Sequence, residues 1–158
     1  MLTLRPTGPD DLPLLAALEM GPDTAVWLSE TGVDWHRRAL DDPDQEHLTA
    51  EEEGRPAGFC VLAGLRDGKG AIEIRRLVLR PALRGEGRGR ALLRTVVARA
   101  YGEHAAQRVW LDVKPHNLRA RTLYESEDFE HTDTVAEAVV EADGSLCDLL
   151  IMTHRRPD

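Results

Sequence analysis

A chain of 158 residues, 42% of them hydrophobic, suits one domain over residues 1–158, with enough apolar material for a core that needs no staples. The net charge of −8, from 28 acidic and 20 basic residues, is the wrong sign for general nucleic-acid binding and would steer a cationic partner instead. No apolar run approaches a membrane span, the first residues lack a signal peptide's apolar core, and Cys60 and Cys147 fall in apolar runs as free thiols, so a reducing, cytoplasmic setting is expected.

Residues 2–5 alternate as a first strand. Asp10 and Asp11 then precede Leu12, Leu14, Leu15 and Leu18 at helical spacing, with acids where a helix start favours them. A second helical piece over residues 33–40 carries Trp35, His36 and Arg37, and Trp27 lies between the two. Residues 47–52 and 56–62 predict a hairpin around Glu53, Gly54 and Arg55. After a turn at residues 66–70 comes a strand, Ala71–Leu79. Its apolar positions change phase, from Ile72 and Ile74 to Leu77 and Leu79, which predicts a bulge. A helix follows, with Leu92, Leu93, Val96, Val97 and Ala100 on one stripe and Arg90, Arg94 and Arg99 outward. Val109, Leu111 and Val113 form the next strand, with Trp110 and Asp112 facing the other way. Strand, helix and strand imply a right-handed parallel crossover. Pro115 and Asn117 start a helix that runs to about Glu125, and residues 134–141 and 146–153 close the chain as a hairpin around Asp143 and Gly144. The expected fold is α+β: a mixed, mostly antiparallel sheet of about six or seven strands with a parallel strand–helix–strand core and flanking helices. The last apolar strand also offers a surface for a homodimer. The six histidines show no paired spacing with one another or with cysteine, so no metal site is expected.

Between the bulged strand and its helix lies Arg84-Gly85-Glu86-Gly87-Arg88-Gly89. Successive backbone N–H groups at a glycine-rich helix start form a concavity suited to phosphate, and glycine at 87 and 89 would let an anion approach closely. A Walker loop would need Lys-Ser/Thr after Gly89, where this chain has Arg90 and Ala91; a dinucleotide fingerprint would need GxGxxG, where this chain has GxGxG.

The stretch Leu77, Leu79, Pro81, Arg84, Gly85, Gly87 and Gly89 resembles the acyl-CoA-binding signature of the GNAT superfamily of N-acetyltransferases. Asn117, Ala120, Leu123, Tyr124 and Glu125 resemble the same superfamily's N-x-x-A-x-x-L-Y-E segment, in the right order and at the right separation. One position departs: Asp128 precedes Phe129 where the family usually has glycine. The resemblance implies acetyl-CoA as co-substrate, direct attack by a primary amine of a small molecule or peptide, and a bulge that opens two parallel strands for the cofactor. No nucleic acid, membrane or metal takes part.

It also implies roles. The backbone of Arg84, Gly85, Glu86, Gly87, Arg88 and Gly89 would hold the pyrophosphate, with Arg84 and Arg88 adding charge. Leu77, Val78 and Leu79 would offer main-chain groups to the acetyl and pantetheine portions. Tyr124 falls where the family's tyrosine points at the CoA sulfur; packing of a core aromatic is the other explanation for it. Asn117 would bond pantetheine, cap its helix, or both. Glu73 lies where some members carry a catalytic glutamate, and would be the general base or a strand carboxylate paired with Arg75; Glu30 and Asp112 are further acids. Trp27, Trp35 and His36 fall in the acceptor-wall region, as an amine pocket or as core. A catalytically inactive acyl-CoA sensor or scaffold of the same fold is the alternative function, and a nucleotide-binding regulatory module a second.

Overall fold

The structure is a computed structural model that describes residues 1–156. Strand β1 (Leu2–Pro6) leads through a short 3-10 turn into helix α1 (Leu12–Leu18), followed by α2 (Pro22–Ala25) and α3 (Val33–Asp41). Strands β2 (Gln45–Glu52) and β3 (Arg55–Ala63) then form the expected hairpin. Its two turn residues, Glu53 and Gly54, both have positive φ, the twist that suits a tight hairpin. Strand β4 (Ala71–Leu79), helix α4 (Arg88–His104) and strand β5 (Arg108–Val113) make the parallel crossover. Helix α5 (Leu118–Ser126) and the hairpin of β6 (Glu130–Val140) and β7 (Leu146–Arg155) complete the chain. The seven strands lie in the order β1-β2-β3-β4-β5-β7-β6, antiparallel except at β4 and β5.

Both faces of the sheet are covered. The larger core sits beneath α4, where Leu92, Leu93 and Val96 meet Leu48, Leu62, Ile72 and Val109. The smaller one holds Leu15, Ala39, Phe59, Val61 and Val78 beneath α1 and α3. Among the described residues no helix is long and apolar enough to cross a membrane. Cys60 is fully buried, whereas Cys147 is only partly so, because the far end of β7 pairs with the exposed edge strand β6.

Two local features position the cavity described below. The register of β3 against β4 slips so that Val61 faces Arg76 while Leu62 faces Ile74, leaving Arg75 as the extra residue. This is the bulge the apolar phase change predicts. It keeps Ile72, Ile74, Leu77 and Leu79 on the α4 side and turns Val78 to the other. Strand β4 also pairs with β5 only over Ala71 to Glu73, after which the two strands part. At the far side, Asp128 stands at φ 68°, the left-handed conformation that glycine adopts most easily. Aspartate is among the few other residues that tolerate it, so the turn keeps its shape without glycine.

Candidate functional site

Where β4 and β5 part, a cavity of about 1040 Å3 opens, lined by both strands, the α2 segment, the glycine turn and α5. The turn that forms one end of it has three consecutive residues in left-handed conformations: Gly85 (φ 90°), Glu86 (φ 53°) and Gly87 (φ 77°). Gly87 is the N-cap of α4 and no side chain caps that helix. The Arg88 and Ala91 amides bond to Gly85 and Gly87 carbonyls. Those of Gly89 and Arg90, in the first turn, have no acceptor in the helix. Gly89 itself is not forced by its surroundings, since a Cβ there would meet only Leu123 Cδ2 at 3.9 Å. The wall at this point is open to close approach from the cavity side.

Arg84 ties this end together. Its Nη2 donates to the Thr24 hydroxyl and its Nε to the Leu79 carbonyl at 3.3 Å, with no carboxylate partner among the described residues. The edge of β4 along Leu77, Val78 and Leu79 lines the cavity without a strand on that side. Asn117 also lines it and caps α5, its Oδ1 accepting from the Ala120 amide at 3.3 Å.

Tyr124 reaches the cavity from α5, and burial together with the nearby Asp112 carboxylate pushes its phenol up to about 12. Asp112 lines the same wall from β5. The residue is exposed to the open cavity, and desolvation by the wall around it raises its carboxyl, with only partial relief from Arg75. Trp27 also lines the cavity, its ring 5.0 Å from that of His116.

The acetyltransferase (GNAT) family model matches residues 12–129. The chain belongs to that family. An uncharacterized N-acetyltransferase of Mycobacterium tuberculosis is 36% identical over 95 residues, covering 60% of this chain and 59% of that protein. The chain therefore spans less than two thirds of that relative's length. Among solved structures, spermidine N-acetyltransferase from Vibrio cholerae in complex with CoA and spermine superposes with a TM-score of 0.85 at 19% identity, covering 98% of this chain and 95% of that one. The ribosomal-protein-S18-alanine N-acetyltransferase from Escherichia coli gives 0.78 at 20% identity, covering 98% and 94%. At such identities the agreement concerns the fold, and it is the GNAT arrangement of a mixed sheet parted at β4 and β5.

Against that GNAT frame, several expected residues converge: Leu77, Val78, Leu79, Arg84, Gly85, Gly87, Gly89, Asn117, Tyr124 and Trp27 line one cavity. Five do not. Glu73 is not in the cavity wall; its Oε1 accepts from Arg75 Nε at 3.1 Å and Nη2 at 2.9 Å, so the carboxylate is held as a strand ion pair. The Glu86 side chain points to solvent, and the Arg88 guanidinium pairs with Glu52 and Glu86. Trp35 lies beneath the Arg76 guanidinium, 3.7 Å from ring centre to its carbon, in the second core. His36 is fully buried beside it, with Nδ1 2.8 Å from His47 Nε2 and Nε2 3.0 Å from Glu19. Helix α3 turns these two residues toward the sheet, outside the cavity lining. What sequence reasoning missed are Arg76, Lys114 and His116, which stand in the cavity wall.

Proposed function

We propose that the protein transfers an acetyl group from acetyl-CoA to a primary amine by direct attack, in one domain that spans the chain. The observation that carries this reading is the joining, in one cavity, of the unpartnered amides at the α4 start, the free edge of β4 and the Tyr124 phenol. Acetyl-CoA brings an acyl group already activated as a thioester. The chain then needs no nucleophile of its own, and Cys60, whose thiol burial pushes up to about 12, offers none.

The residues present suit that co-substrate. The Gly89 and Arg90 amides, at the positive end of α4, would take diphosphate oxygens, and the open wall at Gly89 admits them. Arg84, which has no acid partner among the described residues, adds charge there. The β4 edge at Leu77 to Leu79 supplies N–H and C=O groups to an amide-bearing arm. Asp112, which lines the cavity where Glu73 does not, would take a proton from the attacking amine. Tyr124 gives one to the departing sulfur, so that a C–N bond forms as the C–S bond breaks and both protons are accounted for.

Calorimetry with acetyl-CoA, ATP and NAD tests the first half: selective binding of the CoA thioester is expected, and preference for ATP or NAD would sink the reading. Thiol release with a panel of amines tests the second, and silence with all of them would leave only the sensor role.

A further inference from the structure

The cavity wall carries buried positive charge although the chain is acidic overall. Arg76 and Lys114 both line it, although their side chains are only 5% and 6% exposed. Each is balanced from behind. Arg76 Nη1 donates to Glu19 Oε1 at 2.9 Å, and Lys114 Nζ donates to Glu141 Oε2 at 3.0 Å. Neither Glu19 nor Glu141 lines this cavity. The acids thus lie behind the two buried cations, while the cationic residues front the space.

Neither cation is fully bonded. Arg76 Nε is buried without a partner. The Lys114 ammonium has three hydrogens, and its other partner is the Val26 carbonyl at 3.0 Å, which leaves one hydrogen unclaimed. The Arg76 guanidinium carbon lies over the Trp35 ring, 3.7 Å from its centre. A buried donor with no acceptor is unfavourable until something supplies one. Among the described residues only two acids line the cavity, Asp23 and Asp112. Asp23 acts on Arg84 at the glycine-turn end, which leaves Asp112 as the acid beside Tyr124.

Resting on the acetyltransferase reading, we propose that the acceptor is a small primary amine that also carries a carboxylate. Its amine sits at Asp112 and Tyr124, and its carboxylate is taken by Arg76 and Lys114. A polyamine would instead bring a second ammonium against two buried cations, a like-charge contact that a low-dielectric cavity makes unfavourable.

The test uses the whole protein, acetyl-CoA and pairs of amines that differ by one carboxylate: lysine against cadaverine, ornithine against putrescine, and 4-aminobutyrate against butylamine. Released thiol is followed. The carboxylate-bearing member should be preferred by about ten-fold or more in kcat/KM, carried mainly in KM, as expected for charge-assisted hydrogen bonds made in the ground state. Lys114→Met should shrink that ratio by raising KM for the carboxylate member; a ratio unchanged in the variant would overturn the role of Lys114. Equal or better use of the decarboxylated partners overturns the inference and leaves the acetyltransferase reading standing. No turnover with either member of every pair overturns it as well, and binding of acetyl-CoA then judges the wider reading separately. If Lys114→Met does not fold, the pairs on the unmodified chain still decide.

Discussion

The Tyr124 phenol is kept protonated by two effects that act in the same direction. Burial removes the water that would stabilise a phenolate, and Asp112 adds a negative charge nearby, so the group is pushed up to about 12 from an ordinary 10. A donor in that state stays loaded across the physiological range. Tyr124→Phe should lower turnover by about 10²-fold while leaving calorimetric affinity for acetyl-CoA nearly unchanged; unaltered turnover would remove Tyr124 from the chemistry. Asp112 works in the opposite sense. Desolvation by the cavity wall raises its carboxyl, and only the ionised form accepts a proton, so kcat/KM should fall as pH drops through that raised value. Asp112→Asn should lose both most of the rate and this acid limb, and persistence of the same limb in the variant would assign it to another group. Tyr124 was legible in the sequence because Asn117, Ala120 and Leu123 frame it. Asp112 was less so, since one acid in Val-Trp-Leu-Asp-Val reads as a solvent-facing strand position. Only the parting of β4 from β5 turns that face into a cavity wall. His36 misled for the converse reason: nothing local says that its side of α3 meets His47 of β2.

At the scale of elements, the turn into α4 separates two reasons for glycine that the sequence presents as one. Gly85 and Gly87 stand at positive φ, so any other residue there strains the backbone whatever binds. Gly89 is helical and faces no obstacle within the chain. Gly89→Ala should therefore hold or slightly raise stability, by up to about 0.5–1 kcal/mol from lost unfolded-state freedom, and at the same time weaken acetyl-CoA. Thermal melting and calorimetry on the same sample check this. Undiminished affinity would mean that the cofactor does not approach at that point. The bulge at Arg75 was fully legible, because moving the apolar phase from Ile74 to Leu77 has no other solution on a strand whose two faces meet different cores. The three-residue match between β4 and β5 was not, since pairing length depends on where α4 and α5 hold the strands.

Across the whole molecule, the helices over the smaller core are bound to the sheet by a buried polar chain. Thr49 and Thr7 share a hydrogen bond of 2.8 Å, Thr7 meets His47 Nδ1 at 2.9 Å, and His47 Nε2 meets His36 Nδ1 at 2.8 Å. Glu19 Oε1 then accepts from Arg76 Nη1 and lies 3.0 Å from His36 Nε2, which joins the segment after β1, β2, α3, the end of α1 and β4. Burial, and then the neighbouring His36, lower His47 to about 4 from an ordinary 6.5, with Arg76 acting the same way and Glu19 and Asp11 pulling against them. Since the folded value lies below the unfolded one, the unfolded chain binds the proton more readily between these two pH values. The stability tied to neutral His47 is thus complete above about pH 6.5 and is lost as pH falls toward 4. Between pH 7 and pH 5 the loss should be about 2 kcal/mol. Urea unfolding at the two pH values measures it. His47→Gln, which keeps a polar side chain but cannot titrate in this range, should flatten the dependence even though it lowers stability overall. Equal slopes for the two proteins would show that His47 is already as free to take a proton in the folded state as in the unfolded one.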